Sequence, residues 1–128
     1  MKKISILVTI LFSMIFTFPS YGNWVKVGQS ADQQFTYYVD YNKVKKRGDY
    51  LFYWELEDYS KPDFDFLSSL AYRQVDCSQF RFKNLSFIMY ASNMGKGDAS
   101  PVQPRNKGWI YPPPNSVSET SIEEVCKK

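Results

Sequence analysis

Between residues 35 and 90, apolar side chains recur at every second position in four runs. That is the period of strands, not the 3.6-residue period of helices. Before them, Trp24-Val25-Lys26-Val27 opens as a short strand. Over residues 35–40, Phe35, Tyr37 and Val39 alternate with Thr36, Tyr38 and Asp40. Lys45-Lys46-Arg47-Gly48-Asp49 then turns the chain, with Gly48 suited to positive φ. Residues 50–58 are the clearest strand. Tyr50, Phe52, Trp54 and Leu56 share one face, while Leu51, Tyr53, Glu55 and Glu57 share the other. The pattern predicts the first set in the core and the two carboxylates towards water.

Ser60-Lys61-Pro62-Asp63 ends that strand. Residues 69–77 and 80–90 read as two more, joined at Ser78-Gln79, with a bulge near Asn84 returning Leu85, Phe87 and Met89 to one side. In a meander, Arg73, Arg81 and Lys83 lie across from Glu55 and Glu57, in pairings worth about 0.2–1 kcal/mol each. Residues 93–116 are rich in Gly, Asn, Ser and Pro, with Trp109-Ile110-Tyr111 as a short edge strand. Ser116 and Glu119 have the spacing of a capping box, so a helix starts there with Val117, Ile122, Val125 and Cys126 on one face. No repeat or linker interrupts the chain. The expected architecture is α+β, mostly β: one domain over residues 23–128, an antiparallel sheet of about five to six strands with one C-terminal helix.

Residues 1–22 read as a secretory signal peptide. Lys2 and Lys3 precede an apolar stretch over residues 4–18, Pro19 breaks it, and Ser20 and Gly22 are small residues at the −3 and −1 positions of a cleavage site. The stretch is shorter than the roughly 20 apolar residues of a bilayer span, so no retained anchor is expected. No cysteine follows the small residues to carry a lipid. Without Lys2 and Lys3 the formal charge falls from +3 to +1. A nucleic-acid binder needs a basic excess that this domain lacks. The 18% aromatic content, with ten Tyr and ten Phe, suits a sheet core. Cys77 and Cys126 are the two cysteines of the chain. In an oxidising compartment they are expected to form one disulfide, closing a loop of about 50 residues and worth about 4 kcal/mol in the chain-entropy model.

The chain contains no histidine. That removes the commonest general base, the usual partner of a Ser or Cys nucleophile, and the commonest transition-metal ligand. Glu55 and Glu57 could in principle form a glycosidase pair, but charge pairing on a strand face accounts for them. Asp58, Asp63 and Asp65 surround a turn without the glycine and distal Glu of an EF-hand. Gly95-Lys96-Gly97 lacks the spacing of a phosphate loop. No catalytic residue, cofactor or metal site is expected, and the chain reads as a non-enzyme. Two features point to partners. Lys43, Lys45, Lys46 and Arg47 form a cationic cluster that could meet a polyanion. Tyr38, Tyr53 and Tyr72 fall on a face where tyrosine suits contact with another molecule.

Trp24, Tyr37-Tyr38-Val39-Asp40, Gly48, Trp54 within Tyr53-Trp54-Glu55-Leu56, Ser68-Ser69, Asp76-Cys77, Arg81, Gly95-Lys96-Gly97, Trp109, Pro114-Asn115-Ser116 and Cys126 follow in one order. In that order the mature chain resembles the surface-adhesin protein E-like family of bacterial exported domains. The resemblance implies an antiparallel sheet with its C-terminal helix clamped by a Cys77–Cys126 bridge, and a bacterial source. It also implies adhesion, since the adhesin that gives the family its name is a surface lipoprotein that binds host extracellular-matrix and serum proteins such as vitronectin and laminin. This chain departs from that adhesin in having no lipidated N-terminal cysteine. Two functions are therefore expected in competition. One is an exported binding module that meets a host protein or a polyanion from the cell surface or the medium. The other is a periplasmic structural or assembly factor, acting as a homodimer through an exposed sheet edge.

Overall fold

A computed structural model of the chain describes residues 22–61 and 65–127. Apart from Gly22, the expected signal peptide lies outside the described residues, as does Asp63 of the acidic turn. Seven strands form one antiparallel sheet: β1 (Val25–Gln29), β2 (Phe35–Val39), β3 (Lys45–Arg47), β4 (Tyr50–Tyr59), β5 (Ser68–Asp76), β6 (Arg81–Tyr90) and β7 (Ala99–Val102). Among the described residues one α-helix, α1 (Val117–Cys126), follows. The strand order is β1-β2-β4-β5-β6-β7, with β3 also on β4. β2 pairs with residues 55–59 of β4 and β3 with residues 50–52, so the two share one edge of that long strand. Lys45–Arg47 is therefore a strand, and the turn is confined to Gly48 and Asp49, where Gly48 takes φ +61°.

Alternation in β4 is as the sequence predicts, but the faces are reversed. The core consists of Val39, Tyr53, Val75 and Phe82 beneath Ile122 and Val125 of α1, with Leu51 packed at its margin. Tyr53 is 0% exposed and Glu55 is 3% exposed, so Glu55 does not point into water. The reversal has a physical basis on the neighbouring strand. Arg73 stands opposite Tyr53 and its Nη1 lies 2.6 Å from Glu55 Oε2. Arg73 Nη1 also donates to the Tyr53 hydroxyl at 3.3 Å, and Nε donates to Asn84 Oδ1 at 3.1 Å. A paired and hydrogen-bonded carboxylate can be buried where an isolated one cannot. Arg73 thus parts from Arg81 and Lys83, which lie on the other face.

The bulge falls between the pairs Arg73↔Asn84 and Tyr72↔Ser86, leaving Leu85 out of register and exposed. Phe87 and Met89 then share the face of Ala71 and Ser69. The second edge strand is β7, and Ile110 makes a single bridge to Phe82, with bonds of 2.9 and 2.7 Å. The helix begins where the capping box places it. Ser116 Oγ accepts from the Glu119 amide at 3.1 Å, while Glu119 Oε1 accepts from the amide of Asn115 at 3.3 Å. A Cβ on Gly28 would sit 3.2 Å from Val117 Cγ1, so glycine there allows the helix to approach β1. Cys77, just after β5, is bonded to Cys126 at the end of α1.

Candidate binding surface

With α1 on one side of the sheet, the opposite face presents Tyr50, Phe52, Trp54 and Leu56 of β4. Strand register sets Gln74, Tyr72 and Leu70 of β5 beside the last three, and Lys83, Ser86 and Ile88 of β6 beyond them. Leu56 is fully buried under the turn at Asn93–Gly95. That turn is pinned by Asp58 Oδ1, which accepts from the Met94 amide at 2.8 Å, and by Ser68 Oγ, which accepts from the Gly95 amide at 2.9 Å. Asp58 of the acidic turn is thus occupied as a hydrogen-bond acceptor. Away from that end the face is half-buried, and no helix lies over it among the described residues.

There the rings stack on each other and on cations. Trp54 and Tyr72 are stacked with centroids 4.7 Å apart, and Phe52 lies 6.1 Å from Tyr72. The Arg47 guanidinium sits 5.5 Å above the Phe52 ring. A second group forms around Trp109, with Tyr50 at 5.4 Å, Arg81 at 4.3 Å and Lys83 Nζ at 4.5 Å. Arg81 is also held by Asp76, whose Oδ2 accepts from Nε at 3.0 Å. The ring quadrupoles attract these cations and hold them above the sheet.

The four cations of the basic cluster divide among three places. Lys45 and Arg47 stand in register with Phe52 and Tyr50 at the edge of the aromatic face. Lys46 lines a small cavity of about 430 Å³ with Asp49, Tyr50, Asp76 and Arg81. Lys43 lies in the turn after β2 and lines a groove of about 730 Å³ with Trp24, Leu70, Tyr90, Met94 and Lys96. Tyr38 is half-buried and in register with Leu56, which sets it on the aromatic face. Tyr53 is corrected: it is fully buried beneath α1, with its hydroxyl on Arg73, and no partner reaches it. Phe52, Trp54, Lys83 and Trp109 were not singled out as partner contacts. Their signal was the wholly aromatic even-numbered start of β4, matched by cations at period two in β6.

The α1 side of the sheet carries an electrostatic feature of its own. Glu57, next but one to Glu55, lines a cavity of about 400 Å³ with Phe35, Tyr59, Asp65, Phe66 and Met89. Burial, then repulsion from Glu55, raises its pKa from 4.5 to about 7, against the opposing pull of Arg73. Across the β2–β4 pair, Tyr37 is pushed up to about 12 by burial and by the charges of Glu57 and Glu55.

A family model described as surface-adhesin protein E matches residues 24–127. The chain belongs to the surface-adhesin protein E family. Among solved structures, Haemophilus influenzae protein E is similar with a TM-score of 0.60 and 12% identity, over 87% of this chain and 91% of that one. Its crystal form II gives 0.59 and 12%, again over 87% and 91%. Protein E from non-typeable Haemophilus influenzae gives 0.59 and 12%, over 88% of this chain and 79% of that one. At this identity the likeness carries the fold: a mostly β antiparallel sheet with one C-terminal helix. No curated protein sequence matches significantly. Family membership points to a surface adhesin, hence to an exported, non-enzymatic protein that binds host proteins, and no described helix is long and apolar enough to cross a membrane.

Proposed function

We propose that the chain is an exported, non-enzymatic binding module that engages acidic surfaces of host extracellular-matrix or serum proteins through the aromatic and cationic face of its sheet. The observation that carries this reading is the placement of Arg47, Arg81 and Lys83 over the rings of Phe52 and Trp109. Long cationic side chains normally lose rotamer freedom on binding, and ring contacts and the Asp76 bond restrict much of it beforehand. Stacked Trp54 and Tyr72 supply broad, rigid contact area beside the charges.

The test is binding of vitronectin, and of heparin as a polyanion probe, by oxidised protein comprising residues 23–128. Exposed charges are screened over about 8 Å at physiological salt. Binding is expected to weaken at least tenfold between low and high salt, and to fall by a similar factor in the double variant Arg47→Glu, Lys83→Glu. Unchanged binding by that folded variant would remove the face from the account. Recovery of the protein solely in the periplasm, with no binding to either ligand, would favour the envelope structural or assembly factor instead.

A further inference from the structure

We propose that Asp40 is the receptor for a new N-terminus: cleavage after Gly22 turns the Asn23 nitrogen into an α-ammonium that pairs with the Asp40 carboxylate. Asp40 stands at the end of β2 and is 3% exposed. Its Oδ1 accepts from the Asn42 amide at 3.0 Å and caps the turn at Tyr41–Lys43. Its Oδ2 accepts from the backbone nitrogen of Asn23, also at 3.0 Å and 17 residues away in sequence. The nitrogen that faces a buried carboxylate is therefore the one that a cut after the small pair Ser20 and Gly22 would liberate. The small residues of the leader and the Asp40 contact of the folded domain thus converge on a single peptide bond.

The chemistry favours the cleaved form. An amide nitrogen offers Asp40 one neutral donor, whereas an ammonium at the same place offers a full opposite charge. The amide–carboxylate bond is already charge-assisted, and the ammonium adds to it the Coulomb attraction of a second, opposite charge. Asn23 is exposed, so the other two ammonium hydrogens reach water and the new charge loses little solvation. The pair would fasten the entry of β1 to the exit of β2, where Val25 and Val39 are in register. Gly22 and Asn23 also line the groove of Trp24, Lys43 and Lys96, so the same cut sets one edge of that groove. The inference stands apart from what the aromatic face binds.

The test compares residues 23–128 with a free Asn23 amine and the same protein acetylated at that amine, each with Asp40 and with Asp40→Asn. Acetylation keeps one N–H donor for Asp40 and removes the charge, and the Asp40→Asn background controls for the two lost water-facing donors and the added acetyl group. It is expected to lower the Tm by about 4–8 °C in the Asp40 protein, and by less than a quarter of that in the Asp40→Asn protein. Equal shifts in both backgrounds, or none in the first, would overturn the proposal, as would an exported protein whose intact mass does not begin at Asn23. Should Asp40→Asn fail to fold, acylation of the α-amine supplies the reading. It should run about tenfold slower in the folded protein than in the urea-unfolded chain, and equal rates would overturn the proposal.

Discussion

Arg73 is the residue on which the α1 face of the sheet turns, since it neutralises Glu55 and bonds Tyr53 and Asn84 in the interior. Its positive charge also lies 4.7 Å from the Phe82 ring centroid. Replacing it with Met should cost about 3–5 kcal/mol, because Glu55 would remain buried without its countercharge. A denaturation midpoint near wild type would show that the sheet relaxes to hydrate Glu55. Glu57 makes the opposite prediction. Its folded pKa of about 7 lies above the ordinary 4.5, so the folded state holds a proton that the unfolded chain has released. Stability from this group is fully present below about pH 4.5 and is lost as the pH rises through 7. Glu57→Gln should therefore stabilise the protein by about 1–2 kcal/mol at pH 8, after allowance for partial solvent screening, and by nearly nothing at pH 4. Urea titrations of both proteins at the two pH values check this, and a pH-independent difference would contradict the assignment.

Among elements, α1 depends on both ends of its attachment. Ser116 caps its start, and Cys126 ties its last turn to Cys77 beside β5. Cys126→Ser should lower stability by about 2–5 kcal/mol, read from denaturant midpoints under oxidising conditions. An unchanged midpoint would mean that Ile122 and Val125 hold the helix alone. Strands β1, β2, β4, β5 and β6 were legible because a period of two is a direct consequence of pleating, and α1 was legible through Ser116 and Glu119, whereas the three cationic residues of β3 read as part of a turn. The facing of β4 was not. Both of its faces are apolar enough to be buried, and the choice was made by Arg73 on another strand. β7 was hidden by Pro101 and Ser100, tolerated in an edge strand that bonds on one side. Of the candidate site, Arg47 and Tyr38 were readable from charge and alternation. Tyr72 was read with Tyr38 as a partner contact and Trp109 as part of an edge strand, while Phe52 and Trp54 were read as core because a half-buried stacked ring and a buried one have the same sequence signature.

At the scale of the whole molecule, one sheet separates two kinds of surface. The α1 side holds the close-packed core and the Arg73–Glu55 pair, and the other side carries rings and cations that are half open to solvent. This division lets the domain keep a formal charge of only +1 over residues 23–128 and still present Arg47, Arg81 and Lys83 together. Attraction is then local to one face and does not act through a global field. The most direct measurement is a map of backbone and indole NMR shifts as a heparin oligosaccharide is added to the oxidised protein of residues 23–128. Shifts are expected to concentrate at Arg47, Phe52, Trp54, Tyr72, Lys83 and the Trp109 indole, while the amides of α1 stay in place. Shifts concentrated on α1 or around Phe35 and Tyr59, or none at saturating ligand, would contradict binding through this face.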